Sequence, residues 1–187
     1  KNSVFEGGAK VPMMVKWPER IEAGTENDSL IGNVDIAATL IEVAGGTTPK
    51  DMSLDGCSFL PQLISQAEPK DWRASMLIEA GNSRAIVTRD WKYIANRVPP
   101  KVAAKMAARP REVFWTGVDH HNYQTEKMYP AYWDADQLYN LNEDLYEQQN
   151  LSNYPDYQIQ LEKMRKKLQL VISTLPHTFG EFGTNRD

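Results

Sequence analysis

The sequence contains little of what disulfide and metal chemistry needs. Its 187 residues include one cysteine and three histidines. A single cysteine forms neither an internal disulfide nor a cluster of thiolate metal ligands, and three histidines leave little material for a histidine metal site. The composition therefore excludes a disulfide scaffold and a thiolate-bound metal cluster.

Positive charge is not in excess, and long apolar runs are missing. Lysine and arginine total 21 against 25 aspartate and glutamate residues, so the formal net charge is −4. Nucleic-acid binding needs a basic face, and no apolar run approaches the ~18 residues of a membrane span. With 41% hydrophobic residues, the composition is typical of a globular domain. We expect no nucleic-acid partner and no membrane partner.

The first sixty-five or so residues have the pattern of one strand and one helix. The apolar run Val11–Val15, between a glycine turn and Trp17-Pro18, predicts a buried strand. Apolar residues spaced by three and four predict a helix over 34–44, which Gly45-Gly46 would end. The residues of that stripe are Val34, Ala37, Ala38, Ile41 and Ala44.

A polar, proline-containing stretch at 64–73 marks a predicted boundary, and the pattern then changes. Short β-prone runs at 75–80, 84–88 and 91–95 predict an antiparallel meander, to which 137–141 could add a strand. Near the end of the sequence, apolar residues alternate at spacings of four and three between Pro155 and Pro176, which predicts a long helix with one apolar stripe.

Residues 98–135 interrupt the predicted meander. Pro99-Pro100 opens a short helix over 101–109, which Pro110 would end. The remainder is rich in aromatic residues and contains His120-His121. Adjacent histidines point in different directions and have no evident third ligand, so they make a poor metal site. These residues, with Trp115, either pack the loop onto the sheet or contact a sugar ring.

Five blocks of sequence in order resemble one family. In chain order they are Lys1 with Phe5-Glu6-Gly7-Gly8-Ala9-Lys10-Val11-Pro12 and Trp17-Pro18, Asp35-Ile36-Ala37-Ala38-Thr39-Leu40 with Ala44-Gly45, Asp55-Gly56 with Leu60-Pro61-Gln62-Leu63, Arg84-Ala85-Ile86-Val87-Thr88 with Trp91-Lys92-Tyr93-Ile94, and Leu138-Tyr139-Asn140-Leu141 with Glu147 and Asn150-Leu151. Together they resemble the C-terminal portion of the type I sulfatases, the arylsulfatase family of the alkaline-phosphatase superfamily. Lys10 departs from the arginine that is usual in the family.

The resemblance implies an α/β fragment of α+β character. Residues 1–65 would be the last strand and helix of the large sulfatase α/β domain. Residues 73–187 would be a small C-terminal subdomain, in which a long C-terminal helix packs on a four-stranded antiparallel sheet, with an aromatic-rich insertion at 98–135.

The resemblance also implies the chemistry of hydrolysing a sulfate ester. Lys1 occupies the position of the family lysine that contacts the substrate sulfate, and an ammonium there would stabilise charge on the ester oxygen. Trp115, His120 and His121 are the other candidate substrate-binding residues. The family uses a calcium ion and a formylglycine made within a C/S-x-P-x-R motif. That motif is not in this sequence, and no metal ligands are evident in it, so the chain alone is expected to be inactive.

The partners expected from the resemblance are the N-terminal sulfatase domain and a sulfated small molecule or glycan. Apolar surface left uncovered could also pair two copies of the fragment in a homodimer. The complete enzyme would be periplasmic or secreted, although the chain, which opens Lys1-Asn2-Ser3, shows no signal peptide of its own. Two alternatives stay open: a non-catalytic glycan-binding or assembly module, and a related phosphoesterase of the superfamily.

Overall fold

The chain forms two compact units. A computed structural model describes residues 3–65, 67–108, 127–176 and 178–182. One unit is Pro12–Ala74, and the other joins residues 3–11 to the described residues from Ser75 onward. The later division lies next to the predicted boundary. Residues 3–11 belong to the unit that holds the sheet.

Helices and strands alternate with long irregular stretches. In chain order the elements are α1 (Glu6–Ala9), α2 (Val34–Val43), α3 (Leu60–Ser65), β1 (Met76–Ala80), β2 (Ser83–Val87), β3 (Trp91–Asn96), α4 (Pro100–Ala108), β4 (Asp136–Asn140) and α5 (Gln158–Ser173). The predicted helices over 34–44 and 101–109 are confirmed to within a residue or two, as is the long helix near the end of the sequence.

The four strands form one antiparallel sheet in the order β1-β2-β3-β4. Tyr93 at the centre of β3 pairs with Ile86 on β2 and with Leu138 on β4. Gly81, at φ 53°, supplies the left-handed backbone that a two-residue hairpin turn needs between β1 and β2. The predicted meander, including its fourth strand, is confirmed.

One face of the sheet packs against α5 through apolar side chains. Pro155 begins a single 3₁₀ turn, after which α5 starts. The buried side chains of this core are Ile86, Tyr93, Ala95, Leu138, Leu151, Leu161, Met164, Leu168, Ile172 and Phe182. Each fully buried aliphatic side chain contributes about 1.5–3 kcal/mol, so this core is the main source of stability for the unit.

The opposite face of the sheet is covered by residues from the start of the chain. Phe5 is buried and stacks on Tyr129 with ring centroids 3.9 Å apart, and its edge contacts Tyr139 on β4. Because successive side chains of a strand point to opposite faces, Lys92 and Ile94 face this second layer. Both faces of β3 are therefore buried.

The strand predicted at Val11–Val15 is not formed. Residues 10–17 have no regular secondary structure, and Val11, Met13 and Val15 are exposed. A strand is stable only when its backbone groups pair with a neighbour, and none of the four strands in the described sheet pairs with this segment. The apolar run is present, but it has no strand beside it here.

In the smaller unit, the buried side chains of helix α2 are the polar residues Asp35 and Thr39. Asp35 is fully buried, accepts hydrogen bonds from the backbone N–H groups of Gly32 and Cys57, and forms a bidentate ion pair with Arg73. Thr39, one turn later, accepts from the N–H of Phe59. The apolar stripe of α2 is partly exposed, and the side that carries Asp35 and Thr39 is the one that the unit buries.

Candidate functional site

The four residues predicted to touch substrate lie outside the described part of the chain. These are Lys1, Trp115, His120 and His121, and their roles stay predictions. The segment that follows Lys1, residues 3–9, lies against the sheet.

A single helical turn at Glu6–Ala9 holds this segment in a tight conformation. A Cβ atom on Gly8 would lie 2.7 Å from the carbonyl oxygen of Ser3, and one on Gly7 would lie 2.8 Å from the hydroxyl oxygen of Tyr129. The clash at Gly8 is with backbone, so that position requires glycine, whereas a side chain at Gly7 would require the Tyr129 hydroxyl to move. The Glu6-Gly7-Gly8 block forms the predicted turn, and its glycines let the turn lie close to Ser3 and Tyr129.

A buried ammonium lies directly beneath that turn. The Nζ atom of Lys92 is 2.7 Å from Oε1 of Glu6 and 2.9 Å from Oε1 of Glu147. The backbone N–H of Glu6 donates a hydrogen bond to Oε2 of Glu147 at 2.6 Å. Lys92 and Glu147 are both 0% exposed. We refer to Glu6, Lys92 and Glu147 as the lysine cluster.

The lysine cluster carries two negative charges and one positive charge in a buried place. Removing a charged group from water costs several kcal/mol, and this is offset only by close partners with good geometry. Burial raises the pKa of the Glu147 carboxyl above its usual value, and the Lys92 ammonium and the Glu6 N–H oppose that rise. Each member of the cluster therefore depends on the other two.

Glu147 has an unusual backbone conformation. Its φ angle is 55°, and it is the non-glycine residue with positive φ among those described. This region is strained for a residue with a side chain and persists only where surrounding contacts enforce it. Here those contacts are the ion pair with Lys92 and the hydrogen bond from Glu6.

Aromatic rings surround the lysine cluster. Tyr129 and Tyr132 lie against Phe5, and Tyr139 donates its hydroxyl hydrogen to Oε1 of Gln137 at 2.9 Å. Burial, and then the charge of Glu147, raise the pKa of the Tyr139 phenol and that of the Tyr129 phenol. The rings keep water from the cluster, which strengthens its ion pairs.

Taken alone, the lysine cluster cannot perform chemistry on a substrate. The Lys92 ammonium is fully enclosed, so a sulfate group has no access to it. What the arrangement does is fix position, because charged hydrogen bonds are short and directional. It attaches the turn that follows Lys1 to the central strand of the sheet.

An open cleft of about 670 Å³ lies at one end of the sheet. Two arginines line it, but Arg84 pairs with Glu79 and Arg97 pairs with Glu181. Trp133 is a partly exposed aromatic side chain in its wall. The cleft therefore offers an aromatic surface and amide groups, with its positive charge already compensated.

Metal-ligating side chains are not gathered in the described part of the chain. Within residues 3–65, 67–108, 127–176 and 178–182, no group of three or more His, Cys, Asp or Glu residues could hold a metal ion. Cys57 is exposed and is not in a disulfide. These residues do not fit a calcium site. Among the described helices, none has both the length and the apolar character to cross a membrane.

Sequence reasoning did not find the lysine cluster. Lys92 and Glu147 were read only as members of family-like blocks. A signal was available: Lys92 lies between Trp91 and Tyr93-Ile94, in a run that becomes an inner strand if 137–141 pairs beside it, and a charged side chain that is buried there needs a partner. The partners, Glu6 and Glu147, are distant from Lys92 in sequence. The local pattern could therefore suggest that Lys92 has a buried partner but could not identify which residue it is.

Comparison with known proteins gives the same family from the sequence. The profile of the family described as "N-sulphoglucosamine sulphohydrolase, C-terminal" matches residues 1–95. An ulvan-active sulfatase of Formosa agariphila is 34% identical over 178 residues, which is 90% of this chain and 34% of that protein. The chain thus spans about a third of the length of this relative.

Solved structures agree in fold. One of them comes from work on the metabolism of multiple glycosaminoglycans by Bacteroides thetaiotaomicron. The alignment includes 91% of this chain and 31% of that protein's chain, with a TM-score of 0.63 and 24% sequence identity. Another, in complex with its substrate D-glucosamine-2-N,6-O-disulfate, covers 83% of this chain and is itself covered to 26%, with a TM-score of 0.58 and 21% identity. A family profile over more than half of the chain, a sulfatase relative along most of it and this fold show that the chain belongs to the sulfatase family and corresponds to its C-terminal portion.

Proposed function

We propose that this chain completes an enzyme that hydrolyses sulfate esters on a sulfated glycan. The observation that supports the substrate class is the 34% identity, along 90% of the chain, to a sulfatase that is active on ulvan. The reaction adds water to the ester and releases inorganic sulfate and an alcohol. An aryl sulfate is the alternative substrate, and both classes can be tested with one preparation.

Lys1 is the residue that we propose to contact the sulfate group. A sulfate ester carries one negative charge, and further charge develops on the bridging oxygen as its bond to sulfur breaks. An ammonium group fixed beside that oxygen stabilises the transition state more than the ground state. The position of Lys1, five residues before the Glu6-Gly7-Gly8 turn, supports this assignment.

The groups that start the reaction would come from elsewhere in the complete enzyme. The described residues do not fit a calcium site, and the sequence has no C/S-x-P-x-R motif from which a formylglycine could be made. We therefore assign calcium and the nucleophile to the remainder of the protein. Trp115, His120 and His121 would contribute to the sugar side of the pocket.

The remainder of the sulfatase is also the proposed partner of the exposed apolar side chains. In the unit Pro12–Ala74, Met13, Val15 and Leu40 are exposed although they lie in the apolar run or on α2. Contiguous exposed apolar side chains favour association. Light scattering on the chain alone should therefore detect dimers or larger species, and addition of the N-terminal sulfatase domain should replace them with a one-to-one complex.

Release of sulfate tests the assignment directly. A complete sulfatase that contains this chain should release sulfate, measured by ion chromatography, from ulvan but not from desulfated ulvan. A chromogenic aryl sulfate, run in parallel, tests the alternative substrate. The chain alone should release none from either substrate. Turnover by the chain alone would show that the nucleophile lies within it, contrary to the proposal.

Lys1→Ala in the complete enzyme tests the proposed contact with sulfate. The variant should lower kcat/KM by roughly 10²–10³, as expected for the loss of one preorganised charge-stabilising group. Most of the loss should appear in kcat if the contact strengthens with developing charge. Lys1→Arg should restore activity only in part, since a guanidinium is larger and planar. Near-normal activity of Lys1→Ala would show that Lys1 does not touch the sulfate.

A second candidate function, a glycan-binding module without catalysis, is favoured by the cleft that contains Trp133. In that case the chain alone should bind sulfated polysaccharide in affinity electrophoresis, and Trp133→Ala should abolish the retardation. Under the sulfatase proposal, Trp133→Ala leaves kcat for a small sulfate ester unchanged. The two assays separate the candidates.

A further inference from the structure

We infer that Glu6, Lys92 and Glu147 are positioning residues, which hold the backbone that follows Lys1 and thereby fix where its ammonium lies. The inference rests on the proposed sulfate contact of Lys1 and names the part of the fold that supports it. Nothing in the role of a sulfate-binding lysine requires a second, buried lysine beneath it. The reasons for assigning the lysine cluster this role are its geometry, its cost and its location.

The geometry joins the turn to the sheet at two different atoms of Glu6. Its side chain accepts from the Nζ atom of Lys92 at 2.7 Å, and its backbone N–H donates to Oε2 of Glu147 at 2.6 Å. Two attachments on one residue prevent both sliding and rotation of the turn. The glycines that follow bring the turn within contact of Ser3 and Tyr129, so residues 3–8 behave as one rigid piece.

The cost of the lysine cluster indicates that more than stability is involved. Replacing a buried ion pair with apolar side chains of similar volume is often neutral or stabilising. The opposite face of the same sheet packs against α5 mainly through apolar side chains. A sheet that buries Ile94 beside Lys92 could cover its second face in the same way. Apolar packing does not fix a segment in a single placement. Directional ion pairs at this position do so for residues 3–9.

The location connects the lysine cluster to the proposed site. Lys1 is five residues from Glu6 and two from Ser3, which is itself buried. A transition-state contact loses much of its effect when the group is misplaced by about 1 Å. Release of the turn would remove the attachment of the chain that follows Lys1, and the loss should appear in kcat more than in KM.

Amide hydrogen exchange on the chain alone tests the positioning step without any assay of activity. Glu6→Gln removes the charge on the turn, and Glu147→Gln removes the buried charge that accepts from the Glu6 N–H. Exchange of the amides of residues 6–9 should become about 10-fold faster in each variant, which reflects a local opening rather than global unfolding. Amides of β2 and β3 should keep their rates in Glu6→Gln, since Glu6 is the partly exposed member of the cluster and Lys92 keeps Glu147 as its partner.

Glu162→Gln is the matched control. It is the same chemical change, at a glutamate of α5 that is 59% exposed in its side chain and pairs with Lys166 at 3.7 Å. Exchange at residues 6–9 should be unaffected. If Glu6→Gln and Glu147→Gln also leave these amides unaffected, the cluster does not hold the turn and the inference is wrong.

A double-mutant cycle in the complete enzyme tests whether the lysine cluster acts through Lys1. Glu6→Gln should lower kcat/KM by about 10-fold, mainly in kcat, when Lys1 is present, because a misplaced catalytic group loses about that much or more. In the Lys1→Ala background the same change should have less than a 2-fold effect, since coupled residues are non-additive. Reactions are compared per folded molecule, with the folded fraction taken from thermal unfolding.

The outcomes separate this inference from the proposed function. If Lys1→Ala is damaging and the Glu6→Gln loss simply adds to it, the sulfate contact stands and the positioning role is refuted. If Lys1→Ala is harmless, the sulfate contact fails and the positioning role fails with it. In that second case, faster exchange in Glu6→Gln would still report that the cluster attaches the turn to the sheet.

Discussion

The two faces of the four-stranded sheet are covered by different chemistry. On one face, Ile86, Tyr93 and Leu138 pack against the apolar side of α5. On the other, Lys92 forms ion pairs with Glu6 and Glu147 beneath the segment 3–9. Apolar burial is strong but non-directional, whereas charged hydrogen bonds fix atoms in place. The helix face therefore supplies stability, and the charged face supplies placement.

Lys92→Met should produce the largest effect, because it leaves two buried carboxylates facing each other. Breaking a buried pair by removing one partner costs about 3–5 kcal/mol. Urea unfolding followed by circular dichroism should show this loss. Lys166→Met, at a lysine whose side chain is 76% exposed, should change stability by no more than about 1 kcal/mol. A loss for Lys92→Met as small as that of the control would show that the ammonium of Lys92 is not needed to hold the carboxylates of Glu6 and Glu147 in the folded chain.

Leu168→Ala tests the apolar face and should have a comparable or slightly smaller effect. Leu168 is fully buried between α5 and the sheet, and such a truncation costs about 2–5 kcal/mol through lost burial and the cavity left behind. Leu170→Ala, on the exposed side of the same helix, is the control and should cost under about 0.5 kcal/mol. Hydrogen exchange should rise across the whole sheet in Leu168→Ala, whereas loss of the Glu6 charge should act on residues 6–9 alone.

The smallest effect is expected at the edge of the helix face, where Arg97 forms an ion pair with Glu181 at 2.6 Å. Hydrogen bonds from Arg97 lower the pKa of the Glu181 carboxyl to about 2. A lowered pKa in the folded state stabilises the protein above the unfolded pKa of about 4.5, and this contribution disappears as the pH falls through about 2. Glu181 is half-exposed and screened by solvent, so the effect should stay under about 1 kcal/mol.

Unfolding of Glu181→Gln and the unchanged chain across pH 5 to 2 measures that contribution. The unchanged chain should lose stability more steeply than the variant on the acid side, and their curves should converge at the lowest pH. Parallel curves over the whole range would mean that the pair with Arg97 adds nothing to folding.

Local patterns in the sequence were enough to predict most of the larger unit. The short β-prone runs gave the meander, and the apolar spacing of four and three between Pro155 and Pro176 gave α5 and its apolar stripe. These features depend on residues close in sequence, where periodicity and turn chemistry are informative. Near the end of α5 the buried apolar residue is Ile172.

Features that depend on distant residues were not predicted. The apolar run Val11–Val15 has the composition of a strand, but strand formation depends on a partner that a local pattern does not show. In α2, the ion pair of Asp35 with Arg73, 38 residues away, decides which side is buried. The lysine cluster joins residues separated by 55 and 141 positions. The sequence places Lys92 in a predicted strand but does not identify Glu6 and Glu147 as the carboxylates that pair with it.

The separation of 141 residues between Glu6 and Glu147 also constrains the order in which the protein can assemble. During synthesis, Glu6 leaves the ribosome long before Lys92 and Glu147 exist, so the turn that contains it has nothing to bind. Closing a loop of that length costs roughly 4 kcal/mol of chain entropy, and this cost falls once the sheet and α5 have formed and brought Lys92 and Glu147 together. We therefore expect residues 3–9 to dock after the sheet and α5 have formed, as one of the late steps of folding.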